Sequence, residues 1–456
     1  MRSDLRLAWL LVQGSDRREW WRIALTAVGA LCATGLGLAA AVLASIRGYF
    51  RVSLGNGLLD EPGERSGVIV TLLLLLVPVL GFLGQCTRIG AVHRDRRMAA
   101  LRLAGATPGR VRRIAALETG LACLLGSALA TAVSVLVLLG LWQRPTALAW
   151  TGIALIAVAV PVLGTAAGVL ALRRVVASPL GWVRRTRPRT GRGPGLLFLG
   201  ALLVVVVAAP VAVASTSARV LGPGSGTVPL TVFGALLAVG AGSVWFAGAT
   251  SALTGRQLAA RTGSPAVLIA AERLRDDPWA AARTHAAVLL VTVVGTGFVG
   301  VRQVLLDELR EMRRVNQLGM DMSFYTTGLN LTAAAILVAL VIVLTGLAVG
   351  TAESLATRRR GLAAQVAAGV PRAVLARALL LETALPLAPA VLTAGAGGLA
   401  IGIGYGRIAS EAHAGWSVPY AALLVPAGVY AACLLAAAAS LPLLRRSVRP
   451  TELRYA

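Results

Sequence analysis

The chain contains no lysine, so all 44 of its basic residues are arginine. A nucleotide-hydrolysing phosphate loop sets a lysine ammonium against the β and γ phosphates, and no such site is expected in these 456 residues. Charge of any kind is scarce. Charged residues make up 14% of the chain against 57% apolar, and the mean hydropathy is +0.77. Soluble domains carry about a quarter charged residues, so a water-soluble fold is excluded. Cysteine is confined to Cys32, Cys86, Cys123 and Cys433, without CxxC spacing and within or beside apolar blocks. They read as small buried hydrophobes, not as a disulfide or metal framework. His93, His285 and His413 are scattered without metal-ligand spacing. No Ser/His/Asp arrangement stands out, and no catalytic, cofactor-binding or metal residue is assigned.

What the chain has instead is long apolar runs. A helix needs about 20 residues to cross roughly 30 Å of hydrocarbon, and ten blocks qualify: 23–46, 67–89, 115–140, 150–172, 195–215, 228–251, 284–302, 331–353, 376–403 and 419–444. The net charge of +25 lies between these blocks, on alternate connections. Arg94, Arg96, Arg97, Arg102, Arg110, Arg112 and Arg113 follow the second span, and Arg358, Arg359 and Arg360 follow the eighth. The positive-inside bias then places both termini in the cytoplasm. It also explains the pI near 11.7 without a nucleic-acid partner. Residues 1–22 form an amphipathic cytoplasmic lead-in, and the first span is too long for a cleaved signal core, so an uncleaved anchor is expected. Trp20, Trp21, Trp142, Trp150, Trp279 and Trp416 fall near span ends, as interfacial rings do. The longest outer connection, 303–330, reads as an amphipathic helix extending the seventh span along the outer surface.

The sequence repeats itself. RDRRMAALRLAGATPGRVRRIAALETGL follows the second span and RRRGLAAQVAAGVPRAVLARALLLETAL the eighth. A single gapless shift superposes Arg94 on Arg358, Arg96 on Arg360, Gly105 on Gly369, Arg113 on Arg377, Glu118 on Glu382 and Thr119 on Thr383. A shorter echo, LRRVVASPLGWVRR and LRRSVRPTELR, trails each copy. The fold class is therefore an all-α polytopic membrane protein with two four-span repeats joined by a two-span hairpin. The segments are 1–22, 23–185 (first repeat), 186–283 (linking hairpin and cytoplasmic loop) and 284–456 (second repeat).

Each repeated motif reads as a short basic helix, a break at Gly105 with Pro108 or at Gly369 with Pro371, and then the next span. Such a segment can lie across the membrane surface as a docking knob. Glu118 and Glu382 fall near the cytoplasmic starts of spans three and nine, as structural carboxylates pairing with Arg113 and Arg377. The glycines of the run 398–406, with Gly35, Gly37, Gly81, Gly84, Gly295 and Gly297, read as close helix-packing positions.

The basic helix, the Ala-Gly-Ala/Val step, the following Glu and the trailing Pro450–Arg454 together resemble the FtsX-like permease domain shared by MacB-type ABC transporters. Two copies with a linking hairpin resemble the ten-span permeases of antimicrobial-peptide detoxification. Only the short 303–330 segment stands between spans seven and eight, where that branch usually has a large extracellular domain. The resemblance implies a permease subunit in a bacterial cell membrane, without enzymatic activity of its own. Its two coupling helices, Arg94–Gly105 and Arg358–Gly369, would dock on a dimer of a separate P-loop ATPase that binds ATP and Mg. The implied partners are that ATPase, the bilayer and an amphipathic or lipid-like substrate, with no nucleic acid. ATP-driven signalling to a cell-wall hydrolase or sensor kinase is the alternative. Ion-driven secondary transport would want charged pairs at the bilayer midplane, and none is evident.

Overall fold

The computed structural model describes residues 17–46, 59–60, 62–86, 100–141, 145–171, 227–410 and 419–444. Among these residues the chain is helical, with no strand. Lipid offers no partner for a free N–H or C=O, so every crossing segment must satisfy its backbone internally. Eight helices of the described residues are long and apolar enough to cross a membrane. A further helix, Pro62–Cys86, covers the second predicted span, and the fifth, 195–215, lies outside the described residues. The chain is a multi-pass membrane protein.

The molecule divides into two units, residues 1–53 with 59–191 and residues 54–58 with 192–456. In the first unit, α1 (Arg17–Ser45) packs against α2 (Pro62–Cys86), α3 (Pro108–Leu141) and α4 (Ala147–Ala171), and α3 packs on α4. Ala30 and Ala33 of α1, Val79 and Leu83 of α2, Cys123 of α3 and Val160 of α4 meet in one buried cluster. Small residues dominate this seam because lipid tails are as apolar as leucine, so close backbone approach, not burial from water, holds such helices together. Gly126 marks the tightest point. A Cβ there would run into the Ala27 carbonyl oxygen and lie 2.9 Å from the Leu31 amide nitrogen. The opposite face of α3 is apolar and exposed, with Leu125 at 61% and Leu136 at 71%. That is a surface for acyl chains, not for water.

The second unit holds α5 (Thr227–Arg261), α6 (Pro265–Asp276), α7 (Pro278–Arg314), α8 (Met322–Thr357), α9 (Arg359–Ala367), α10 (Arg372–Ser410) and α11 (Leu424–Ala438), the last flanked by single 3-10 turns. Here α7 packs against α8, α10 and α11, and α10 against α11. The first unit pairs α1, α2, α3 and α4 in the same way. Glycines again mark the seam between α7 and α10: a Cβ on Gly402 would stand 3.2 Å from the Gly300 Cα. Helix α5 leans on α7 and α10. Trp279, in the first turn of α7, lies against Gly248 of α5. Cys86, Cys123 and Cys433 are buried and Cys32 partly so, none of them in a disulfide.

The helices outrun the predicted spans. Helix α7 has 37 residues, about 55 Å at 1.5 Å each, and continues unbroken past residue 302. The 303–330 segment therefore extends the seventh span as expected, but as one arm of a hairpin with α8. Asn316, at φ 58°, closes the tip. Leu309 and Phe324 are buried, while Asp307 with Arg310 (2.8 Å) and Glu311 with Arg314 (3.1 Å) pair on the outside. At the foot of this hairpin Arg302 donates to the Asn330 side-chain oxygen at 3.0 Å, and the Gln303 side-chain oxygen accepts from the Ala421 N–H at 3.1 Å.

Replacing Gly126 by alanine should push α3 away from α1 and cost about 1–3 kcal/mol. Gly140→Ala, with nothing within 4 Å of its Cβ, should be neutral. Thermal unfolding of the detergent-solubilised variants reads the difference.

Candidate functional site

The two repeated motifs share one backbone conformation. Gly105 and Gly369 both have φ 92°, a left-handed value that costs a side-chain-bearing residue about 1–2 kcal/mol. The N–H of Gly105 bonds to the Arg102 carbonyl (3.1 Å) and that of Ala106 to the Leu101 carbonyl (3.0 Å). The corresponding bonds recur in the second copy, Gly369 to Val366 (3.0 Å) and Val370 to Gln365 (3.0 Å). Each pair is a Schellman C-cap: the left-handed glycine turns the chain back so that two late carbonyls of the short helix find donors. The following helix starts after Thr107 in one copy and after Pro371 in the other, and Thr107 accepts from the Arg110 N–H at 3.3 Å. Glycine thus makes the break. Pro108 opens the next helix, at a position whose missing N–H costs nothing.

In the second unit the elbow is fully described. Arg358 ends α8 and precedes α9. Leu362 of α9 is buried with Leu355, Leu375 and Leu444, and Ile269 of α6 packs on the same cluster. One face of α9 is thereby clamped to the ends of α8, α10 and α6. The other face exposes Arg359, Arg360, Ala364, Ala367 and Ala368, a cationic surface of small side chains. In the first unit Leu103 is 70% exposed at the matching turn, and Arg102 donates to the Ala106 carbonyl at 3.1 Å. Arg94, Arg96 and Arg97 lie outside the described residues, as do both trailing motifs apart from Leu444.

Glu382 ties the elbow to its surroundings. Arg358 donates to one carboxylate oxygen at 2.9 Å, and Arg273 of α6 forms an ion pair with the other, its Nε 3.0 Å away. The pairing expected with Arg377 is not made; Arg377 is exposed, and the two arginines of neighbouring elements take its place. Arg358 therefore lies on the inside of the elbow, half-buried against Glu382. Glu118, its counterpart in the first unit, is 4% exposed, and Thr119 and Thr383 are buried beside the two carboxylates. Helix α6 and Arg273 were missed because the helix is too short to span. Its Ser264-Pro265 start, its Asp277-Pro278 end and buried Ala266, Ala270, Ala271 and Leu274 are the signals that mark it. Beside the ion triad lies a cavity of about 480 Å³, also lined by Asp276, Asp277 and His285.

Residues 67–180 match the family model described as FtsX-like permease C-terminal. The match covers the second to fourth spans of the first unit, with the Gly105 elbow and Glu118 inside it. No curated protein matches the chain.

Gly369→Ala should cost about 1–2 kcal/mol, whereas Gly361→Ala, in α9 with open space around it, should be neutral or stabilising. Glu382→Gln should weaken one charge-assisted hydrogen bond, at roughly 1.5–3 kcal/mol, and one ion pair, both discounted because the two arginines are about a third exposed. Glu272→Gln, at an exposed pair with Arg275, should cost at most about 1 kcal/mol. Thermal unfolding in detergent measures all four.

Proposed function

We propose that this protein is the transmembrane permease subunit of an ABC transporter, built from two FtsX-like repeats at 23–185 and 284–456 joined by the segment 186–283. The observation that carries this reading is the duplicated elbow, with the same φ at Gly105 and Gly369 and the same hydrogen bonds in both copies. The family match of 67–180 around the first copy supports it. Each elbow lies on the cytoplasmic side, as its arginines direct, and docks on one subunit of a P-loop ATPase dimer that binds ATP and Mg. Arg359, Arg360 and the small residues of α9 form the docking face, with Leu103 in the first copy. Glu382 passes displacement of α9 to α10 through Arg358 and to α6 through Arg273.

The chemistry asked of this chain is mechanical. Closure of the ATPase dimer moves the elbows, and the spans and the α7–α8 hairpin follow. The cargo is an amphipathic or lipid-like compound, such as a membrane-active antimicrobial, taken from the membrane rather than threaded through a polar pore. Resistance to such compounds in a bacterial inner membrane is the physiological setting. The α7–α8 hairpin favours a second reading, in which the same motion is signalled to a cell-wall hydrolase or sensor kinase: its exposed ion pairs offer a partner a defined surface beyond the membrane.

Charge reversal at Arg359 and Arg360 should abolish co-purification of the ATPase with a permease that still purifies folded in detergent. Retention of the complex would refute the docking face. Loss of the permease should sensitise cells to a membrane-active compound. Unchanged susceptibility across a broad panel, together with crosslinking of 303–330 to an outer partner, would select signalling over export.

A further inference from the structure

The cavity beside Glu382 has a divided lining. One wall carries Arg273 and Arg358, which share a single carboxylate and so keep a net positive charge. Arg273 binds Glu382 through Nε and Arg358 through Nη1. The two remaining nitrogens of each guanidinium hold N–H groups in the planar fork that suits phosphate oxygens. The rim toward the junction of α6 and α7 carries the exposed carboxylates of Asp276 and Asp277. Leu347, Leu379, Leu380 and Leu441 supply an apolar floor. Helix α6 buries alanines and a leucine on one side and exposes Glu272, Arg275 and Asp276 on the other. This is the pattern of a helix lying at a membrane–water boundary.

We propose that this cavity binds the head group of a membrane phospholipid in which a phosphate is linked to a primary ammonium, the phosphoethanolamine chemistry. The phosphate sits on Arg273 and Arg358, the ammonium faces Asp276 and Asp277, and the start of the acyl region meets the leucine floor. Charge order sets the selectivity. A purely anionic head group gains the arginines but meets two carboxylates. A choline head group satisfies the carboxylates by charge alone, since it has no N–H to donate, whereas a primary ammonium donates three hydrogen bonds. The site adds a ligand to the Arg–Glu–Arg junction between α6, α8 and α10, so the lipid would brace the elbow whatever docks on it.

The test is native mass spectrometry of the full-length chain, purified without any ATPase and mixed in detergent with equal amounts of phosphatidylethanolamine, phosphatidylglycerol and phosphatidylcholine. The unaltered chain should retain phosphatidylethanolamine in preference to the other two. Arg273→Gln with Arg358→Gln should lower that retention at least tenfold. Asp276→Asn with Asp277→Asn, checked by thermal unfolding to remain folded, should keep phospholipid binding but erase the preference for ethanolamine over choline. Glycerophosphoethanolamine and inorganic phosphate serve as soluble competitors. Equal retention of the three lipids, an unchanged preference in the aspartate variant, or unchanged retention in the arginine variant overturns the proposal. Displacement of the lipid by glycerophosphoethanolamine at comparable concentration overturns the membrane source. Because no ATPase is present, failure here leaves the permease reading standing, and failure of that reading leaves this site standing.

Discussion

A helix that crosses lipid can end only where something takes over its last carbonyls, because each unpaired backbone group in hydrocarbon costs several kcal/mol. Everything distinctive about this chain happens at such ends. At Gly105 and Gly369 a left-handed residue folds the backbone over the end of a short helix, two donors are found, and the next long helix starts within a few residues. No side chain is needed for that turn. The outward face of the short helix is therefore left open for other use, and in α9 that face carries arginine and alanine.

The ion triad adds a second constraint. Glu382 sits on α10, ten residues after its start, and draws guanidinium groups from two other elements. A carboxylate so placed is costly unless compensated, and compensation from elsewhere in the fold couples the elements that supply it. Apolar contacts around Leu362 reinforce the same junction. The short helix α9 is thus fastened by charge at its start, by leucine packing along one side and by a glycine cap at its end.

Much of this could be read from the residues. The long apolar blocks returned as helices wherever the structure describes them, since block length answers directly to membrane thickness. The glycine break was legible because Gly105 and Gly369 matched across the shift with arginine and glutamate in register. The partner of Glu382 was not legible: Arg377 is near in sequence, but its spacing from Glu382 does not put the two on one helix face, and the arginines that do pair arrive from distant parts of the chain, on α6 and at the end of α8. Helix α6 escaped because a short helix of modest apolarity looks like a loop beside blocks long enough to span. The ends of the long helices escaped too, because hydropathy reports where lipid stops and not where backbone hydrogen bonding stops. For α7 the two differ by about three turns.

Helix α7 carries a consequence of its own. It runs without interruption from Pro278, next to the α6 junction, through the glycine seam with α10, to Arg314 at the tip of the hairpin. A continuous rod of this kind works as a lever whose fulcrum is the seam at Gly297 and Gly300. The seam divides it into arms of about 20 residues toward Pro278 and about 15 toward Arg314, so a tilt at one end reaches the other without a change in internal hydrogen bonding. The contacts of Arg302 with Asn330 and of Gln303 with Ala421 tie the outer arm to α8 and to the 3-10 turn ahead of α11.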